Sequence, residues 1–186
     1  MAFMNSLGVI HGRFQVLHND HLKYLLAGKK LCRHLIIGIT NPDPILTTEV
    51  QVDVKRSSAL ANPLTYYERL LLVRESLLEA GTGLEEMTIV PFPITRPELY
   101  EYYVPKKAVF FLSIYDDWGR KKLDQFRDLG LKTHVLWEVP PEEKGLSSTI
   151  IRELMVQGKP WDHLVPEPVA RLCRQWEIPS RLKNLS

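Results

Sequence analysis

Short, continuous apolar runs recur along the chain at residues 7–10, 35–39, 87–90, 108–112 and 133–137. Runs of this length that do not alternate with polar residues are the pattern of strands covered on both faces. Between them lie stretches with helical spacing. Leu22, Leu25 and Leu26 form an apolar stripe after His18. Thr65 and Glu68 make a capping box ahead of Leu70, Leu71, Leu77 and Leu78, and Gly81 supplies the stop. A further helix is predicted over 121–129, ending at Gly130, and a last one over 166–176 through Val169, Ala170, Leu172, Cys173 and Trp176. Strands alternating with helices predict an α/β fold, a parallel sheet of about five strands with helices on both faces. A C-terminal helical segment over 148–178 completes it, and residues 41–63, which carry Asn-Pro, Asp-Pro and Ser-Ser without a sustained period, read as a long surface loop of the kind that forms lids.

Composition narrows the picture. A length of 186 residues with 45% hydrophobic and 25% charged positions fits one domain over 1–186 that needs no disulfide or structural metal. Lys and Arg number 24 against 22 Asp and Glu, a net charge of +2, so the basic surface that nucleic acid requires is not expected. No run approaches the roughly 18 apolar residues of a membrane span, and no basic segment precedes a hydrophobic run at the N-terminus; a cytoplasmic protein without membrane contact is the expectation. Cys32 and Cys173 fall in apolar, helix-like surroundings with no second ligand at metal spacing, and read as buried thiols.

Chemistry concentrates in two stretches. The first strand runs into Gly12-Arg13-Phe14-Gln15 and then His18-Asn19-Asp20-His21 before a helix. A glycine admits an anion close to the backbone, a helix start adds partial positive charge, and Arg13 offers a fork of donors, so this loop suits phosphate. The second stretch, Ser147, Ser148 and Thr149 followed by Arg152, enters another helix after the last strand. Its hydroxyls can cap the helix and meet phosphate oxygens while Arg152 faces the same anion one turn on. Taken alone, each piece has an ordinary explanation: His-x-x-His at a helix start is commonly capping, Ser-Ser-Thr is commonly an N-cap, and a helical arginine is commonly solvated.

Together the two stretches resemble the nucleotidyltransferase superfamily, whose motifs read Gly-Arg-Phe-Gln-Pro-x-His-x-Gly-His and Ile-Ser-x-Thr-x-x-Arg. The stretch from Asn62 to Arg69 is similar to the Asp-Pro-Phe-Thr-x-x-Glu-Arg of archaeal-type nicotinamide-nucleotide adenylyltransferases, as is the region around Trp161 and Leu164-Val165-Pro166. The resemblance implies a Rossmann-like sheet and transfer of AMP from ATP to nicotinamide or nicotinate mononucleotide, with pyrophosphate released and Mg2+ as cofactor. It assigns Arg13, His18, His21 and Arg152 to catalysis as charge stabilisers, and Gly12, Phe14, Gln15, Ser147, Ser148 and Thr149 to the nucleotide. Tyr100, Trp118 and Asn41 fall to the acceptor, no side chain is assigned as a metal ligand, and a homo-oligomer is implied.

Several positions depart from the family. Asp20 replaces its glycine and Val16 its proline; helix capping is the expected role of Asp20. Ala61 stands where the family has arginine, with Lys55 or Arg56 as substitutes, Pro93 stands where it has an acid, and Ser113 to Trp118 replace its Gly-Asn. Asp116 and Asp117 read as a turn or cap rather than a metal pair. Two alternatives stand beside the main reading, the first from the divergent acceptor side and the second from Asp20 in place of the family glycine. One is a related nucleotidyltransferase with another phosphorylated acceptor or with CTP as donor. The other is a nucleotide-binding regulatory protein without turnover.

Overall fold

A computed structural model describes residues 5–43, 58–143 and 145–185. Its strands are β1 (Asn5–Gly12), β2 (Cys32–Thr40), β3 (Met87–Phe92), β4 (Val109–Ile114) and β5 (Lys132–Glu138). They pair in parallel in the order β3-β2-β1-β4-β5. Every predicted strand is present and each is longer than its apolar run, because ladder pairing carries the backbone past the last buried side chain. Cys32 lies within β2 rather than in a helix; it and Cys173 are nonetheless buried free thiols. Burial pushes the two thiols up to about 11 and about 12, so both are protonated at neutral pH.

Side chains alternate between two cores, which is why the strands read as continuous apolar runs. Ile10, Ile37 and Phe111 face α1 (Asn19–Lys29), α2 (Tyr66–Glu79), α4 (Ser148–Val156), α5 (Glu167–Gln175) and α6 (Ile178–Lys183). Val9, Phe110 and Leu112 face α3 (Asp117–Asp128) and the short helical turn Pro97–Tyr102. Helix α1 lies close on the sheet because it presents Gly28 there: a Cβ at that position would meet Ile10 Cδ1 at 3.0 Å. Among the described residues no helix is long and apolar enough to cross a membrane.

Helix boundaries follow their caps. The Thr65–Glu68 capping box forms as predicted, with Thr65 Oγ1 accepting from Glu68 N at 3.2 Å and Glu68 Oε2 from Thr65 N at 2.8 Å. Helix α3 begins four residues before its predicted start because Asp116 Oδ1 accepts the Gly119 N–H at 2.8 Å, the capping role expected of that acid. The C-terminal segment divides into three helices, the last of which, α6, was not expected.

Candidate active site

Strand order reverses between β1 and β4, so their carboxyl ends open the crevice in which α/β sheets bind ligands. The first motif leaves β1 there. Phe14 turns the chain in a left-handed conformation, φ 53°, and its ring folds back over Gly12, where a Cβ would lie 2.8 Å from Phe14 Cζ. That ring is buried and meets His21 edge-on with centroids 5.2 Å apart. Gln15 is buried too, and both ends of its amide are taken by Leu64: Nε2 donates to the carbonyl and Oε1 accepts the N–H, each at 2.9 Å. The Gln15–Val16 peptide is cis. The Phe14 and Gln15 side chains thus shape the loop from within, which leaves their backbone as the part that can face nucleotide.

His18 is the N-cap of α1, its Nδ1 accepting the His21 N–H at 3.4 Å. An accepting Nδ1 puts the proton of the neutral ring on Nε2, which makes that atom a donor. The two imidazoles stack with centroids 3.7 Å apart and planes 22° from parallel. Burial pulls His18 down to about 4, with Asp20 opposing. Burial first, then His18 and Arg13, hold His21 well below the usual range, against a hydrogen bond with the Val16 backbone. Both rings are neutral at pH 7.

The second motif docks directly on the first. Ser147 caps α4 by accepting from Ile150 N at 3.4 Å, as predicted. Ser148 Oγ donates to the Val16 carbonyl at 2.8 Å, and the buried Arg152 donates through Nη1 to the Gln15 carbonyl and through Nη2 to Thr149 Oγ1, the latter at 3.2 Å. Arg152 is lowered to about 10, by burial and then by Arg13, and stays charged. Arg13 likewise lowers His21 and Arg69, which places its guanidinium near both side chains. Arg13, Arg152, His18 and His21 are thus gathered at one sheet end, an arrangement that attracts a polyanion.

The acceptor residues do not gather in the same way. Tyr100 is 1% exposed, packed against Phe92 at 4.6 Å and Phe126 at 6.0 Å, with its hydroxyl donating to the Ile94 carbonyl at 2.7 Å. It is a core residue, which corrects its expected stacking role: the sequence shows an aromatic there but not which way it packs. Trp118 stands exposed at the start of α3 with Lys122 Nζ 4.3 Å from its ring centroid. Asn41 leaves β2 in a left-handed conformation, φ 51°, and gives its carbonyl to Arg69. Lys55 and Arg56 lie outside the described residues.

Three further residues without a catalytic or binding assignment shape the site. Arg69 is buried at 2% exposure and donates to the carbonyls of Arg13, Thr40 and Asn41 at 3.0, 2.8 and 2.8 Å, pinning the ends of β1 and β2 together. His11 lies between Phe92 and Phe126 with neither ring nitrogen hydrogen-bonded. Asp20, expected to cap α1, leaves that task to His18 and accepts the Leu146 N–H at 2.8 Å. Among the described residues no group of three His, Cys, Asp or Glu converges as a metal site.

A sheet whose switch point carries these two docked motifs is that of a nucleotidyltransferase. Residues 9–154 match the Cytidylyltransferase-like family, and the chain belongs to it. It is 49% identical over 95% of its length, and 95% of the relative's, to a phosphonoformate cytidylyltransferase of Streptomyces viridochromogenes. It is 30% identical to a nicotinamide-nucleotide adenylyltransferase of Thermococcus onnurineus, over 98% of this chain and 90% of that one. Among solved structures, a bifunctional NMN adenylyltransferase/ADP ribose pyrophosphatase from Francisella tularensis shares the fold with a TM-score of 0.68 at 15% identity. The chain is covered to 97% by that match and spans about half, 52%, of that bifunctional protein's length.

Proposed function

We propose that this protein transfers the cytidylyl group of CTP to a small phosphonate of the phosphonoformate type, releasing pyrophosphate. The observation that carries this reading is the 49% identity, over nearly the whole of both chains, to a phosphonoformate cytidylyltransferase. The adenylyltransferase expectation rests on relatives near 30% identity, and it asks Tyr100 for a ring face that the core already covers. The CTP alternative therefore displaces ATP and nicotinamide nucleotide.

In the reaction a phosphonate oxygen forms a bond to the α-phosphorus of CTP while the bond from that phosphorus to the bridging oxygen breaks, and the electron pair departs with pyrophosphate. Little covalent work falls to the protein; positioning and charge neutralisation carry the rate. Arg13 and Arg152 would hold the triphosphate from its two sides, and the His18 Nε2–H would donate to a phosphate oxygen as charge moves onto the leaving group. Magnesium, which the resemblance implies, would neutralise phosphate charge on the bound triphosphate.

The test is a panel of CTP and ATP against phosphonoformate, other phosphonates and nicotinamide mononucleotide, read by pyrophosphate release and product mass. A cytidylylated phosphonate is expected. Turnover confined to ATP with nicotinamide mononucleotide would overturn the reading, and tight nucleotide binding without pyrophosphate release anywhere in the panel would favour a regulatory role.

A further inference from the structure

We propose that Asp20 is a positioning residue, a latch that fixes the second phosphate-facing segment, Gly145 to Arg152, against the first. The proposal rests on the assignment of these two motifs to one nucleotide. Asp20 sits in the first turn of α1, yet its carboxylate leaves that helix and accepts the Leu146 N–H across 126 positions of sequence. Gly145 is the counterpart that makes this possible. It adopts φ +75°, and a Cβ there would lie 2.5 Å from Asp20 Oδ2, so a side chain at 145 would evict the carboxylate.

The direction of the contact sets it apart from the other ties between the motifs. Ser148 and Arg152 reach from the second motif to the carbonyls of Val16 and Gln15. Asp20 reaches from the first motif to a backbone N–H just ahead of the Ser147 cap. The segment is thus held at both ends, before α4 and one turn inside it, and Arg152 is presented in a fixed place before any nucleotide arrives. A carboxylate near a triphosphate repels it unless its charge is turned elsewhere. Here a backbone donor holds it in a charge-assisted hydrogen bond, the stronger sort.

Two variants separate a latch from other roles. Asp20→Gly removes the contact, whereas Asp20→Asn keeps an oxygen acceptor and discards the charge. In ligand-free protein, amide exchange of the 145–152 peptide should speed up about tenfold in Asp20→Gly, the loss expected of one hydrogen bond, and clearly less in Asp20→Asn, which loses only the charge assistance. In turnover, Asp20→Gly should raise the KM for CTP about tenfold with the acceptor KM unchanged, and Asp20→Asn should recover most of that loss. Should Asp20→Gly fail to fold, Gly145→Ala displaces the same carboxylate and should show the same exchange and KM changes. Equal or tighter CTP binding by Asp20→Gly would mean that the carboxylate obstructs the anion, and an Asn variant as impaired as the Gly variant would mean that its charge is what matters; either result overturns the latch. The exchange measurement needs no substrate, so an absence of CTP turnover in the natural protein counts against the proposed reaction alone.

Discussion

His11 is the side chain whose position costs the fold most plainly. Its ring is enclosed between Phe92 and Phe126, neither nitrogen has a hydrogen-bond partner, and burial, then the nearby Lys122 charge, holds its pKa well below the usual value. A buried polar group left unpaired costs about 1–3 kcal/mol, so His11→Leu, an apolar side chain of similar size, should raise stability by about 1 kcal/mol in urea unfolding at pH 7.5. The same burial makes stability depend on acidity. His11, His18 and His21 have lower pKa values folded than unfolded, so the unfolded chain takes up protons first as pH falls below about 6.5. Their contribution is complete above that pH and is lost on the way down, to about 4 for His18. Each titrating histidine should remove about 1.4 kcal/mol per pH unit within that window, and His11→Leu should flatten the slope by one histidine's share. A slope unchanged in that variant would show that His11 does not titrate on unfolding.

The start of α2 shows which contacts a sequence can reveal and which it cannot. The capping box is legible because Thr65 and Glu68 satisfy each other three residues apart, and the Asp116 cap is legible for the same local reason. The partners of Glu68 and Arg69 are not. Glu68 also takes a paired contact from Arg181 of α6, at 2.8 and 2.9 Å, across 113 positions. Arg69 serves three carbonyls on two strand ends that only the folded sheet brings together. Helix α6 itself escapes a periodicity reading: it has six residues, carries Pro179 in its first turn, and follows Glu177 in a left-handed conformation. The unforeseen partners of Gln15 and Asp20 share this origin, since each has a residue type suited to ligand or cap and a distant backbone group that claims it. Because a lysine has one ammonium where Arg69 has a fork, Arg69→Lys should leave carbonyls at the β1 and β2 ends unpaired and cost about 2–3 kcal/mol, measurable as a lower urea midpoint with an unchanged slope. A loss below about 0.5 kcal/mol would indicate that water serves those carbonyls as well as the guanidinium does.

Across the whole molecule, the order β3-β2-β1-β4-β5 puts β1 at the centre and sends its carboxyl end into the crevice where the order reverses. The second motif comes from the far end of the chain, yet α4 reaches that same crevice because its Ile151 and Met155 are buried in the core shared with β1 and α1. The α/β class and the cationic residues were readable from the chain, since both depend on short-range patterns. The docking of the motifs on each other depends on the sheet order, which no local spacing encodes. In the proposed reaction these two segments close on one triphosphate. Its most direct test is the crystal structure of the complex with CTP and magnesium. A single triphosphate should accept hydrogen bonds from both Arg13 and Arg152, with the His18 Nε2 within reach of a phosphate oxygen. A triphosphate held by one motif alone, with the other turned to solvent, would contradict it.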